Sequence, residues 1–214
     1  MTPGIACPPC EALGCIEYQD ALTRMQAYVR QPRDARPERL IACTHPAVFT
    51  QGLGGKPEHV LAPGEIPVVA SDRGGQVTYH GPGQAVLYTL IDVGARRLGV
   101  RRFVRVLESS VIALLAEHGV RGARMEGAPG VYVDGAKVAA LGLRLKNGMT
   151  YHGLSLNVDM DLEPFARINP CGMAGLAVTQ LRDLGIRMSV EAASEQLARA
   201  FAAELEESAR LLPA

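Results

Sequence analysis

Apolar residues recur at helical spacing in three stretches of the chain. Tyr18, Ala21, Leu22, Met25, Tyr28 and Val29 form the first stripe, closed by the proline- and arginine-rich break from Pro32 to Pro37. Phe103, Val106, Leu107, Ser110, Val111, Leu114, Leu115 and His118 follow i, i+3, i+4, i+7 spacing, and Gly119 ends that helix. Ala193, Leu197, Ala200, Phe201 and Leu205 predict a last helix. Between these stripes the pattern changes to short apolar runs. Leu40 to Thr44 and Pro67 to Ala70 read as short strands, and Ala85 to Ile91 as a buried one. Asp134-Gly135 and Asn147-Gly148 both favour tight turns, so Val131 to Leu156 reads as a three-stranded antiparallel meander. Helices scattered among strands and hairpins, without a repeat or linker, predict one α+β domain over residues 16–214. Residues 1–15 read as a flexible tail.

Composition narrows the function classes. With 214 residues, 48% of them hydrophobic, the chain can bury a substantial core. Twenty-two basic side chains balance 22 acidic ones, so no long-range steering to nucleic acid or to an anionic membrane is expected. Arg96-Arg97 and Arg101-Arg102-Phe103-Val104-Arg105 are local basic clusters, read as a wet helix face or a place where an acidic carrier protein docks. No basic stretch followed by an apolar run opens the chain, and no run reaches a membrane span of about 18 residues. A cytoplasmic protein is expected, with reduced thiols.

Cys7, Cys10, Cys15, Cys43 and Cys171 are an odd set. Cys7-Pro8-Pro9-Cys10 has redox-pair spacing but opens no helix after a strand and has no second pair to complete a zinc site, so it belongs with the tail. Cys43, in Leu40-Ile41-Ala42-Cys43, reads as a small buried hydrophobe. His118 reads as a surface histidine favoured by the helix dipole.

The densest chemistry lies in Asp72-Arg73-Gly74-Gly75-Gln76-Val77-Thr78-Tyr79-His80-Gly81-Pro82-Gly83-Gln84. A guanidinium, a hydroxyl and an imidazole stand among glycines that let backbone come close to a ligand. The connection between the Leu40 to Thr44 and Pro67 to Ala70 strands, which contains Gln51 to Pro57, is long enough to be a functional loop. Cys171 follows Pro170 and precedes Gly172, a setting that presents a thiol on a fixed turn. Lys137, after the Asp134-Gly135 turn, has small and apolar neighbours, where desolvation favours the neutral amine. The two are 34 positions apart, and spacing alone does not say that they meet.

The segments Arg73 to Gln84, Gly135 to Gly142, Thr150 to Val158 and Ile168 to Gly172 resemble the octanoyltransferases of lipoate biosynthesis, also called lipoyl(octanoyl) transferases. The match runs in order from about Thr44 to about Gly175, and its Arg-Gly-Gly…Thr-Tyr-His…Gly-Gln signature is specific. It implies a biotin and lipoate protein ligase-like fold: a mixed sheet flanked by helices, with a smaller sheet beside it. It implies Cys171 as acyl-thioester nucleophile and Lys137 as its partner. Acyl-binding residues would be Arg73, Gly74, Gly75, Gln76, Val77, Thr78, Tyr79, His80, Ala140, Leu141, Gly142, Gly153, Leu154 and Ser155. The donor would be octanoyl-acyl carrier protein, its acyl group on phosphopantetheine. The acceptors would be lipoyl domains of 2-oxo acid dehydrogenase acyltransferase subunits and the glycine cleavage carrier protein. Neither metal nor ATP is expected as cofactor, and the chain is expected to act as a monomer. Oxyanion donors would be backbone N–H groups around Ala140 to Gly142 or near Cys171.

Two alternatives stay open on the residues. An ATP-dependent lipoate or biotin ligase on the same fold would need no cysteine, and a non-catalytic binder of lipoyl domains or acyl chains would need neither cysteine nor lysine. His80 and His152 are expected to have structural or pocket roles in preference to a cysteine–histidine pair. His45, His80 and His152 lack helical i, i+4 spacing and an evident carboxylate, so no metal site is expected.

Overall fold

The computed structural model describes residues 8–170 and 175–210. A six-stranded sheet forms its centre, built from β1 (Cys10–Cys15), β2 (Arg39–Thr44), β6 (Gln84–Leu90), β9 (Met149–Asn157), β8 (Ala136–Lys146) and β7 (Gly130–Val133), in that spatial order. Within this sheet β1 and β2 pair in parallel and the other described pairs are antiparallel. A second sheet carries β4 (Val68–Ala70), β3 (Val48–Gln51) and β5 (Val77–His80). Among the described residues three α-helices flank the sheets: α1 (Tyr18–Arg30), α2 (Val100–Glu117) and α3 (Val190–Arg210).

Period-two alternation between two covered faces explains why β6 and β9 are buried along their whole length. Leu40, Ala42, Ala85, Leu87, Leu154 and Leu156 point to one face, where α2 and α3 bury Phe103, Leu107, Val111, Leu197 and Phe201. Ile41, Cys43, Val86, Tyr88, Met149 and Tyr151 point to the other, against Tyr18, Leu22, Met25 and Val29 of α1. A third cluster, with Phe49, Val77, Tyr79, Phe165 and Ile168, lies under the small sheet. The three helices, the buried strand and the 131–156 meander stand where the periodicity places them, in the mixed-sheet α+β arrangement expected.

The tail reading is corrected over Cys10–Cys15, which pairs with β2 as an edge strand (Cys10↔Leu40, Ala12↔Ala42). Its side chains are mostly exposed, so no apolar alternation marks it, and backbone hydrogen bonding holds it in place. Residues 1–7, with Cys7, lie outside the described residues. β3 and β5 are further strands inside stretches read as loops. Among the described residues no helix is long and apolar enough to cross a membrane.

β9 bends at His152, whose φ is +62°, and passes close to β6 at Gly153. A Cβ on Gly153 would lie 2.1 Å from the Leu87 carbonyl oxygen, a backbone atom with no room to yield. Gly153→Ala is therefore expected to destabilise the fold by about 3 kcal/mol. Urea unfolding would register it; a change below about 0.5 kcal/mol would contradict the packing described.

Candidate active site

A cleft opens on the α1 face of the large sheet, roofed by the small sheet and the glycine-rich segment. Of the acyl-binding residues expected from the sequence, Arg73, Gly75, Gln76, Val77, Thr78, His80, Ala140, Leu141, Gly142, Gly153, Leu154 and Ser155 line it. Gly74 and Tyr79 do not. The Gly74 N–H donates to the Leu143 carbonyl at 2.8 Å, fastening the roof to β8. Tyr79 turns into the third apolar cluster against Phe49 and Phe165.

Lys137 also lines the cleft, although only 4% exposed. A bulge on β8 places it there: Val131 pairs with Ala139 but Tyr132 pairs with Lys137, leaving Val138 extra. Its Nζ donates to the Pro129 carbonyl at 3.2 Å and stands 5.2 Å from the centre of the Tyr132 ring. Gly130, at φ +145°, leaves space for the lysine stem; a Cβ there would come 3.0 Å from Cε.

Cys171 lies outside the described residues, but its neighbours in sequence are placed. Pro170 is buried and lines the cleft, and the Asn169 N–H donates to the His59 carbonyl at 2.8 Å. Downstream, the chain pairs with the backbone of Lys137 itself: Lys137 N–H to Ala177 carbonyl at 2.8 Å, Thr179 N–H to Lys137 carbonyl at 2.9 Å.

Two buried histidines, His80 and His152, line the cleft and a third, His45, packs against His80; each has its own partner. His80 Nδ1 donates to Gln84 Oε1 at 2.7 Å, and Gln84 in turn donates to Asn157. His45 Nδ1 donates to the Ile16 carbonyl while its Nε2 accepts from the Tyr88 hydroxyl, both at 2.7 Å. His152 Nε2 donates to Asp72 at 2.8 Å. Asp72 also accepts from Tyr151 at 2.5 Å and Gln26 at 3.0 Å; the His152 bond first, then these, hold its carboxyl below the usual range. The sequence offered no sign of the Asp72–His152 pair, since 80 positions separate them. No group of three or more histidine, cysteine, aspartate or glutamate side chains among the described residues is arranged to hold a metal. Arg73 is buried, its guanidinium donating to the Thr50 carbonyl at 2.7 Å and hydroxyl at 2.8 Å.

Burial keeps all three imidazoles neutral. It pushes His80 down to about 3 from 6.5, with the charges of His45 and Arg73 acting in the same direction, and it lowers His45 and His152 as well. A folded pKa below the unfolded one means that the unfolded chain takes up protons first as pH falls. Stability is then full above about pH 6.5 and drops toward pH 3, by up to about 1.4 kcal/mol per unit for His80 alone. Urea midpoints measured from about pH 7 to about pH 4 should fall steadily, and less steeply in His80→Asn; a flat profile would contradict neutral burial. Burial also lifts the Cys43 thiol to about 12, leaving it inert beside His45. His118 is an exposed histidine bonded to Gln196, as its helix end suggests.

The sequence pattern of the lipoyl protein ligase A/B catalytic domain matches residues 17–202. An octanoyltransferase of Chromobacterium violaceum is 54% identical over 185 residues, 86% of this chain and 89% of that one. Another, from Dechloromonas aromatica, is 50% identical over 200 residues, covering 94% and 98%. A crystal structure of lipoate-protein ligase A bound with ATP superposes with a TM-score of 0.77 over 96% of this chain and 93% of that one. At 14% identity, that likeness is one of fold.

Proposed function

Because the chain belongs to the lipoyl protein ligase A/B catalytic domain family, we propose that it is an acyltransferase moving octanoyl from acyl carrier protein to lipoyl-domain lysines through a Cys171 thioester. The acceptors are the lipoyl domains of 2-oxo acid dehydrogenase acyltransferase subunits and of the glycine cleavage carrier protein. The observation that carries this reading is the placement of Lys137: a buried amine in a cleft, clasped by the chain that leads away from Cys171 at residues 177–179, with Pro170 on the cleft wall.

The chemistry follows from the two groups. Lys137 accepts the Cys171 thiol proton, and the thiolate attacks the donor carbonyl carbon. The pantetheine thiolate leaves with that proton, so one thioester replaces another at little cost in energy. In the second half the acceptor amine attacks the Cys171 thioester. A free lysine with a pKa near 10.4 is neutral only roughly once in 2,500 at pH 7, a handicap of about 4.6 kcal/mol. A positioned base lowers it, and Lys137 serves again by accepting the amine proton as the thiolate leaves. Thioester to amide runs downhill, so the reading needs neither ATP nor metal.

Mixing the protein with octanoyl-acyl carrier protein and a lipoyl domain, without nucleotide, tests this directly. An octanoyl mass increment on the lipoyl-domain lysine is the expected result. Transfer that starts only when ATP and free octanoate are supplied would identify a ligase instead.

A further inference from the structure

We infer that Tyr18, His80 and Tyr88 form the stop that sets acyl chain length, an inference that rests on the acyl-transfer reading above. The cleft floor is made of rows running across the strands. Gly130 faces Ala140, Ala140 faces Ser155, and Ser155 faces Val86. Gly142, Gly153 and Tyr88 make the neighbouring row. Lys137 Nζ stands at the β7 end of the first row, 3.3 Å from the place of a Gly130 Cβ. Along the rows, β8 and β9 supply small groups only. On β6 the floor ends at Val86 and Tyr88, and rings close the space beyond. Tyr18 stacks on His80 at 5.9 Å and 12°, His80 meets His45 at 5.7 Å, and His45 meets Tyr88 at 5.8 Å.

The reach of this floor matches a definite chain. Lys137 springs from β8 and its Nζ overhangs β7, so an acyl carbonyl lying one strand inward from the amine stands above β8, and from β8 to β6 is two strand spacings, about 10 Å. With C–C bonds of about 1.5 Å and staggered torsions, the seven bonds of an octanoyl chain advance about 9 Å. An acyl group whose carbonyl lies beside Lys137 therefore places its methyl at Val86 and Tyr88. Two further methylenes would have to enter the ring cluster, which is packed and buried (Tyr18 3%, His80 6%, Tyr88 4% exposed). The proposed mechanism gives none of these rings a proton to move, so their effect is expected on length alone.

Calorimetry with S-alkyl pantetheine thioethers from hexyl to dodecyl tests the stop without turnover. Wild-type affinity should rise about fourfold per methylene up to octyl and then stop rising. Tyr18→Leu should carry the rise on to decyl, and Val86→Leu should end it at hexyl. A wild-type affinity that keeps climbing to dodecyl overturns the inference, as does a break that stays at octyl in both variants. If Tyr18→Leu does not fold, the position of the break in Val86→Leu decides alone. Binding here needs no reaction, so a protein that binds with this length profile but transfers nothing counts against the proposed function and not against the stop.

Discussion

Lys137→Met should lower octanoyl transfer by about a hundred- to ten-thousandfold, the usual worth of a positioned base, or about 3–5 kcal/mol. Methionine keeps the apolar stem that β8 buries and removes only the amine, so unfolding midpoints should change little. Both half-reactions should suffer, because in the proposed mechanism the same amine handles the Cys171 proton and the acceptor proton. Lys137→Arg separates charge from base. Guanidinium stays protonated and cannot accept a proton, so arginine should rescue almost nothing. Single-turnover rates of thioester formation and of aminolysis would check each half. Recovery of wild-type rates by arginine would show that a fixed positive charge, not a proton acceptor, is what position 137 supplies.

Cys171→Ser should lose at least about a thousandfold in transfer, since a hydroxyl ionises far less readily than a thiol and the nucleophile acts as one unit with its base. The loss should appear in thioester formation itself. Serine differs from cysteine by a single atom, so stability should be little altered. Steady-state transfer to a lipoyl domain measures the loss. A serine variant as fast as wild type would mean that the lysine amine takes octanoyl directly from the carrier.

Much of this architecture was legible beforehand because burial imposes periodicity. The stripe from Tyr18 to Val29 faces one side of the sheet and the stripe from Phe103 to Leu115 the other, so helix period sufficed to find both. β1 was hidden because an exposed edge strand needs only backbone partners. β5 was hidden by its glycine-rich surroundings, although Tyr79 facing the third cluster and Thr78 and His80 facing the cleft follow strand alternation. The expected acyl-binding residues converge except at Gly74 and Tyr79, where one fastens the roof and the other packs beneath it. Tyr18 and Tyr88 were unreadable as cleft residues. Both look like core positions of their own elements, and only the register of β6 against β9 and the seat of α1 turn them toward the cleft.

The most direct test of a thioester at Cys171 is to locate the octanoyl group before any acceptor is present. The protein is incubated with octanoyl-acyl carrier protein, digested, and the modified peptide sequenced by mass spectrometry. The account predicts one hydroxylamine-labile octanoyl group on Cys171, which moves to lysine when a lipoyl domain is added without ATP. Octanoyl found on another residue, or transfer at full rate with Cys171 never modified, would contradict it.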